Sequence, residues 1–230
     1  MTKFLIIYTG RCGSSMLTDI LNSHQSIVCE GELMHPGAPG RTYGAVEKPQ
    51  IVWNIINNQR NVPFIGFKLS IQHFVDLNLD ISTWMHLAKP EKIIFLYREN
   101  LIAQYASVLL ASINNAWTSN DGNYNTNQVV IDLVKFEDFR KNIELANTIL
   151  SSISDSFDGT KFSYEDIIEN PTMSSNSILN YLGIDKSNFY SELDLNSLGF
   201  KKQRSKTLED SVLNFKEVIG IYPELLKLKI

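Results

Sequence analysis

Small, hydroxyl-bearing and charged residues meet in one short run, Thr9-Gly10-Arg11-Cys12-Gly13-Ser14-Ser15. Two glycines let a backbone wrap closely, Ser14 and Ser15 add hydroxyl donors, and Arg11 supplies a fixed cationic fork for phosphate or sulfate oxygens. Two other groups could do chemistry. Glu30 and Glu32 are carboxylates able to take the proton of a hydroxyl nucleophile, and beside an incoming polyanion such a group is expected to have its pKa raised. Arg98 precedes Ser107 by nine residues, about two and a half helical turns, which suits a phosphate held by a charge-assisted fork and a hydroxyl. Each group also has a plain structural reading: a Ser-capped turn, solvated loop carboxylates, a strand-end salt bridge of Arg98 with Glu99 or a nearby carboxylate, and a serine on a helix face.

The flanking residues say how these groups are held. Phe4-Leu5-Ile6-Ile7-Tyr8 is an uninterrupted apolar run of the kind a parallel strand buried on both faces shows. Met16, Leu17, Ile20 and Leu21 then fall on one helical face. A strand, a glycine turn and a helix aim the first N–H groups of the helix at the turn, where the dipole favours an anion. Lys92 to Arg98 followed by Leu101 to Ser107 repeats the plan and puts Arg98 at the carboxyl end of its strand, where α/β proteins place ligands. The predicted strands are 3–8, 26–29, 64–69, 92–97 and 160–164. They predict an α/β, three-layer, P-loop-like domain with a mainly parallel sheet flanked by helices, spanning 1–230 as one unit. Lys68 ends the third strand, either as a supporting cation of the site or as a snorkelling lysine. Helices are expected over 47–60, through the stripe Phe139, Ile143, Ala146, Leu150 and Ile153, and from Pro171 to Leu182-Gly183. Loops are expected over 36–44 and 116–128. His73 and Trp84 read as core or surface residues.

Several chemistries are disfavoured. A nucleotide-triphosphatase loop reads G-x-x-x-x-G-K-[ST], whereas Ser14 follows Gly13 here and the later strand ends in Tyr97-Arg98 rather than an acidic residue. A cysteine-phosphatase loop closes with Arg six positions after the cysteine, where Cys12 has Thr18. The four histidines and two cysteines show no metal-ligand spacing, so no metal site is predicted. A net charge of −4 argues against nucleic-acid binding, and 43% hydrophobic with 20% charged residues is ordinary for a globular chain. No apolar run is long enough for a membrane span, and a cytoplasmic location with free cysteines is expected.

The order R-x-G-S-S-x-L after a buried strand resembles the 5′-phosphosulfate loop of sulfotransferases that use 3′-phosphoadenosine-5′-phosphosulfate (PAPS), with the bacterial carbohydrate enzymes of the nodulation and trehalose type as the closest likeness. R-E-N-x-x-A-Q-x-x-S from Arg98 to Ser107 is similar to that subgroup's 3′-phosphate motif. Y-E-D-I-I-E-N-P from Tyr164 resembles a packing segment that braces the nucleotide domain. K-K-Q-R-S-K-T-L-E-D from Lys201 resembles the basic segment that closes over the 3′-phosphate. The resemblance implies sulfuryl transfer to an acceptor hydroxyl, on a carbohydrate or glycolipid in that subgroup, without a required metal. It implies Glu32, followed by the apolar pair Leu33-Met34, as general base with Glu30 as the alternative, and Arg11 and Lys68 at the sulfuryl group. Donor contacts fall to Arg11, Cys12, Gly13, Ser14, Ser15, Arg98, Ser107, Lys202 and Arg204. A nucleotide-dependent kinase and a non-catalytic nucleotide- or sulfate-binding module are the competing readings. A homodimer through 36–60 or 116–128 is compatible with the sequence.

Overall fold

The computed structural model describes residues 1–33, 49, 53–54, 62–76, 80–117, 126–184 and 207–227. The predicted loop over 36–44, most of the 47–60 helix and of the 116–128 loop, and the Lys201–Arg204 run lie outside them.

Five strands form one parallel sheet: β1 Thr2–Tyr8, β2 Ile27–Glu30, β3 Phe64–Ser70, β4 Lys92–Tyr97 and β5 Thr160–Ser163. Their order is β2-β3-β1-β4-β5, with Tyr8 level with Ser70 on one side and with Leu96 on the other. The chain therefore winds outward from β1 in both directions. The loop after β1 sits where the winding reverses, which is where open parallel sheets hold their ligands.

Alternation along β1 builds both cores, since successive side chains face opposite ways. Leu5 and Ile7 join Ile65, Phe67, Leu69, Ile93 and Phe95 on one face, under helices α2 (Ile71–Asp76), α3 (Ile81–Ala88) and α5 (Leu133–Ser156). Phe4, Ile6 and Tyr8 join Ile94 and Leu96 on the other, under α1 (Ser14–Asn22) and α7 (Pro171–Leu182). Burying each of these side chains contributes about 1.5–3 kcal/mol. Gly66 lies opposite Phe4, and a Cβ there would sit 2.5 Å from the Phe4 ring, so the bare backbone leaves room for that ring between the strands.

Helix α4 (Leu101–Asn114) packs against α5 and a C-terminal pair, α8 (Leu208–Ser211) and α9 (Phe215–Ile221), in a third apolar cluster. The element starts are chemically marked. Asn100 accepts from the Ala103 N–H at 2.9 Å, Asp132 caps α5, and Pro171 occupies the first turn of α7, which Gly183 ends at φ 83°. Four of the five strands differ from expectation by one residue, β1, β3 and β5 at one end and β2 at both. The last strand ends at Ser163, whose hydroxyl forms a capping box with Asp166, so Tyr164 opens helix α6 (Tyr164–Glu169) instead of closing a strand. No described helix is long and apolar enough to cross a membrane.

Candidate functional site

The loop between β1 and α1 is the centre of the site. Arg11 adopts the left-handed region at φ 60° and Gly13 at φ 82°. Gly13 occupies the N-cap position of α1 and no side chain caps that end, so the first-turn N–H groups are not satisfied by a capping side chain. Tyr164 lies directly over Gly13, and a Cβ there would come 2.5 Å from its ring. Gly13→Ala is therefore expected to lower stability by about 1–3 kcal/mol, combining left-handed strain with displacement of a packed ring. An unfolding free energy from denaturant titration that changes by less than about 0.5 kcal/mol, the range of a neutral surface substitution, would show that neither the ring contact nor the left-handed backbone resists the methyl group.

Cys12 packs in the apolar layer with Leu17 and Ile20, and burial pushes its thiol up to about 12. The thiol is thus inert near neutral pH, and any part Cys12 takes in anion binding falls to its backbone. Cys29, on β2, is likewise buried and pushed up to about 12.

Beside the loop, Lys68 donates from Nζ to Ser15 Oγ at 2.8 Å and lies 3.4 Å from Glu32 Oε1, with its side chain 9% exposed against 31% for Glu32. The lysine does not reach outward to solvent. It ties the anion loop to the carboxylate, and its Nζ stands 5.6 Å from the centre of the Tyr8 ring. The Tyr8 phenol faces Glu32 and the Ser14 hydroxyl. Burial pushes the Glu32 carboxyl up, but the nearby Tyr8 phenol, the Lys68 cation and His73 together hold it below the usual glutamate value. That direction belongs to the site without a polyanion beside it; the rise expected from sequence is the one an incoming polyanion would cause. Burial and Glu32 together raise the phenol well above its ordinary value, so Tyr8 stays protonated and acts as a donor.

The groups from β4 and α4 close the other side. Arg98 Nη1 donates to the Arg11 carbonyl at 3.3 Å, its guanidinium stacks 4.4 Å from the centre of the Tyr164 ring, and its Nε lies 3.6 Å from Glu165 Oε1. Glu165 also accepts the backbone N–H groups of Glu99 and Asn100 at 3.0 and 3.3 Å, at the start of α4. Arg98 Nε is buried and has no hydrogen-bond partner. Ser107 Oγ accepts from Arg11 Nε and Nη2 at 3.1 and 3.0 Å, and Arg11 Nη1 donates to the Trp117 carbonyl at 2.6 Å. Arg11 and Ser107, 96 positions apart, are thus in direct contact. Lys202 and Arg204 lie outside the described residues.

Sequence reasoning missed three contributors. Tyr8 reads from sequence as the end of an apolar run. Tyr164 and Glu165 were assigned to packing alone, whereas their side chains touch Arg98 and the loop. The available signal was weak: two consecutive residues able to stack on and pair with an arginine, placed just after a strand.

A parallel sheet with a glycine-serine turn after its central strand and an uncapped helix N-terminus defines an α/β fold of the P-loop-like kind. Within that class the chain has the fold of the sulfotransferases. A sulfotransferase from Alicyclobacillus acidocaldarius superposes with a TM-score of 0.60 at 13% identity, covering 98% of this chain and 92% of its own. The sulfotransferase domain from the curacin biosynthetic pathway does so at 0.55 and 13%, covering 94% and 86%. A mouse sulfotransferase complexed with PAP does so at 0.53 and 12%, covering 97% and 82%. No protein-family model and no curated protein matches the sequence.

Proposed function

We propose that residues 1–230 form one sulfotransferase domain that moves a sulfuryl group from PAPS to an acceptor hydroxyl, releasing adenosine 3′,5′-bisphosphate. The observation that carries this reading is the convergence of Arg11, Arg98 and Ser107 on one side of the loop and Lys68 with Glu32 on the other, within a sulfotransferase fold. Cations and helix N–H groups suit an anionic donor, and a carboxylate beside them suits an acceptor that must lose a proton.

In this reading the N–H groups from Gly13 to Ser15 and the Arg11 guanidinium stabilise charge on the sulfuryl and bridging oxygens. Arg98 and Ser107 hold the 3′-phosphate, with Lys202 and Arg204 closing over it. Glu32 accepts the acceptor proton as the new O–S bond forms and the bond from sulfur to the phosphate oxygen breaks. Lys68 bridges base and loop. The acceptor is a carbohydrate or glycolipid hydroxyl and the enzyme works in the cytoplasm, following the resemblance to the nodulation and trehalose type.

The test is calorimetric titration with adenosine 3′,5′-bisphosphate and with adenosine 5′-monophosphate, in EDTA. Micromolar binding of the bisphosphate, about −8 kcal/mol, and much weaker binding of the monophosphate are expected. Equal affinity for the two, or none for either, overturns the proposal and favours a kinase or a simple anion binder.

A further inference from the structure

Two amides, one half-buried and one fully buried, grip one residue of the loop after β1. Gln72, in α2, accepts the Gly10 N–H on Oε1 at 3.0 Å, and the same oxygen accepts the Ser70 hydroxyl at 3.1 Å. Gln104, in α4 and fully buried, donates from Nε2 to the Gly10 carbonyl at 2.5 Å. The other halves of both amides, Gln72 Nε2 and Gln104 Oε1, are buried without a hydrogen-bond partner, as is the Thr9 hydroxyl next to Gly10. Leaving polar atoms buried and unpaired costs stability, and packing alone would favour an apolar side chain at such positions. What these two side chains hold in return is Gly10, through the peptide groups on either side of its Cα.

The next residue explains what the grip achieves. Arg11 is a non-glycine residue in the left-handed region, an unfavourable conformation that persists only when its surroundings impose it. With Gly10 held by Gln72 and Gln104, and the Arg11 carbonyl accepting from Arg98 Nη1, the backbone is fixed on both sides of that residue. The Gly10 N–H is also consumed by Gln72, so it is not a donor the loop can offer an anion. We infer that Gln72 and Gln104 are paired positioning residues, an amide clamp that sets the shape of the anion loop before any anion arrives. A loop ordered in advance loses less entropy on binding and holds its donors where charge will develop. The inference deepens the donor-site reading and rests on it for its consequence in binding.

Gln104→Met keeps the length of the side chain and removes its hydrogen bonds, and Gln72→Met cuts the clamp from the other side without touching α4. Two readouts are compared with wild type: amide hydrogen exchange of residues 10–15, and the ratio of affinities for adenosine 3′,5′-bisphosphate and adenosine 3′-monophosphate, which reports the gain from the 5′-phosphate. In both variants loop exchange is expected to rise about tenfold, the scale of one lost hydrogen bond, with residues 105–114 unchanged. The affinity ratio is expected to fall by about the same factor, and binding of the 3′-monophosphate to hold. Unchanged loop exchange in both variants overturns the clamp. So does an equal loss of affinity for both nucleotides, which is what general destabilisation would produce. If wild type itself gains nothing from the 5′-phosphate, the donor reading falls instead, and the exchange measurement alone decides whether the clamp exists.

Discussion

Glu32→Gln is expected to lower turnover by about 10²–10⁴-fold, the usual contribution of a positioned general base, while affinity for adenosine 3′,5′-bisphosphate stays level or rises. The amide is close in size and shape to the carboxylate and its oxygen can still accept a hydrogen bond, but it cannot take a proton. It also removes a negative charge 3.4 Å from Lys68 Nζ, which leaves that cation free to attract an anion bound at Ser15. Turnover and binding therefore move independently or in opposite directions. A parallel fall in both would mean that Glu32 only supports the pocket.

The pH dependence follows from the same neighbours. Glu32 is held below the usual glutamate value in the folded chain, so the acid limb of kcat/KM for the free enzyme is expected below the ordinary carboxylate range. The same shift stabilises the fold. That contribution is fully present above the pKa Glu32 has when unfolded, and it is lost as pH falls through the lowered, folded value. A bound donor adds negative charge and pushes Glu32 back up, so the acid limb of kcat should lie at higher pH than that of kcat/KM. Profiles of the two parameters measured on the same preparation check this order, and coincident limbs would place the titrating group elsewhere.

Local grammar carried much of the fold from the sequence. Phe4 to Tyr8 reads as a doubly buried strand because both of its faces are apolar. Pro171 and Gly183 bracket a helix because proline is pre-set for a helix's first turn and glycine takes its left-handed end without strain. The glycine-serine loop and the Arg98 to Ser107 spacing were legible for the same reason, being written within single strand-helix units. The contacts that tune the site were not. Glu165 meets the Glu99 N–H across 66 positions, Gln72 meets Gly10 across 62, and Gln104 meets it across 94. Such pairs exist only once β4 and β3 have been laid on either side of β1. Glu165 reads from sequence as part of a packing segment at the end of the last strand, with nothing nearby in the chain to mark it as a partner of Arg98. The lowered pKa of Glu32 was out of reach because Lys68 could equally have turned to solvent.

Arg98→Met is expected to weaken adenosine 3′,5′-bisphosphate binding by about 10–100-fold, since a charge-assisted hydrogen bond to phosphate contributes about 1.5–3 kcal/mol. Adenosine 5′-monophosphate should be nearly unaffected. The guanidinium has a second role that must be separated from the first. Its side chain is 10% exposed and Glu165 is 8% exposed, so removing the cation leaves a carboxylate buried without its counter-charge. Breaking a buried pair costs about 3–5 kcal/mol, but Glu165 keeps the N–H groups of Glu99 and Asn100, and the stability loss should be about 1–3 kcal/mol. Adding Glu165→Gln to Arg98→Met removes the stranded charge. The double variant should therefore recover stability relative to Arg98→Met without recovering affinity for the 3′-phosphate, and residues in one network give such non-additive cycles. If binding returns together with stability, Arg98 acts by holding the start of α4 in place and the 3′-phosphate is recognised by other groups.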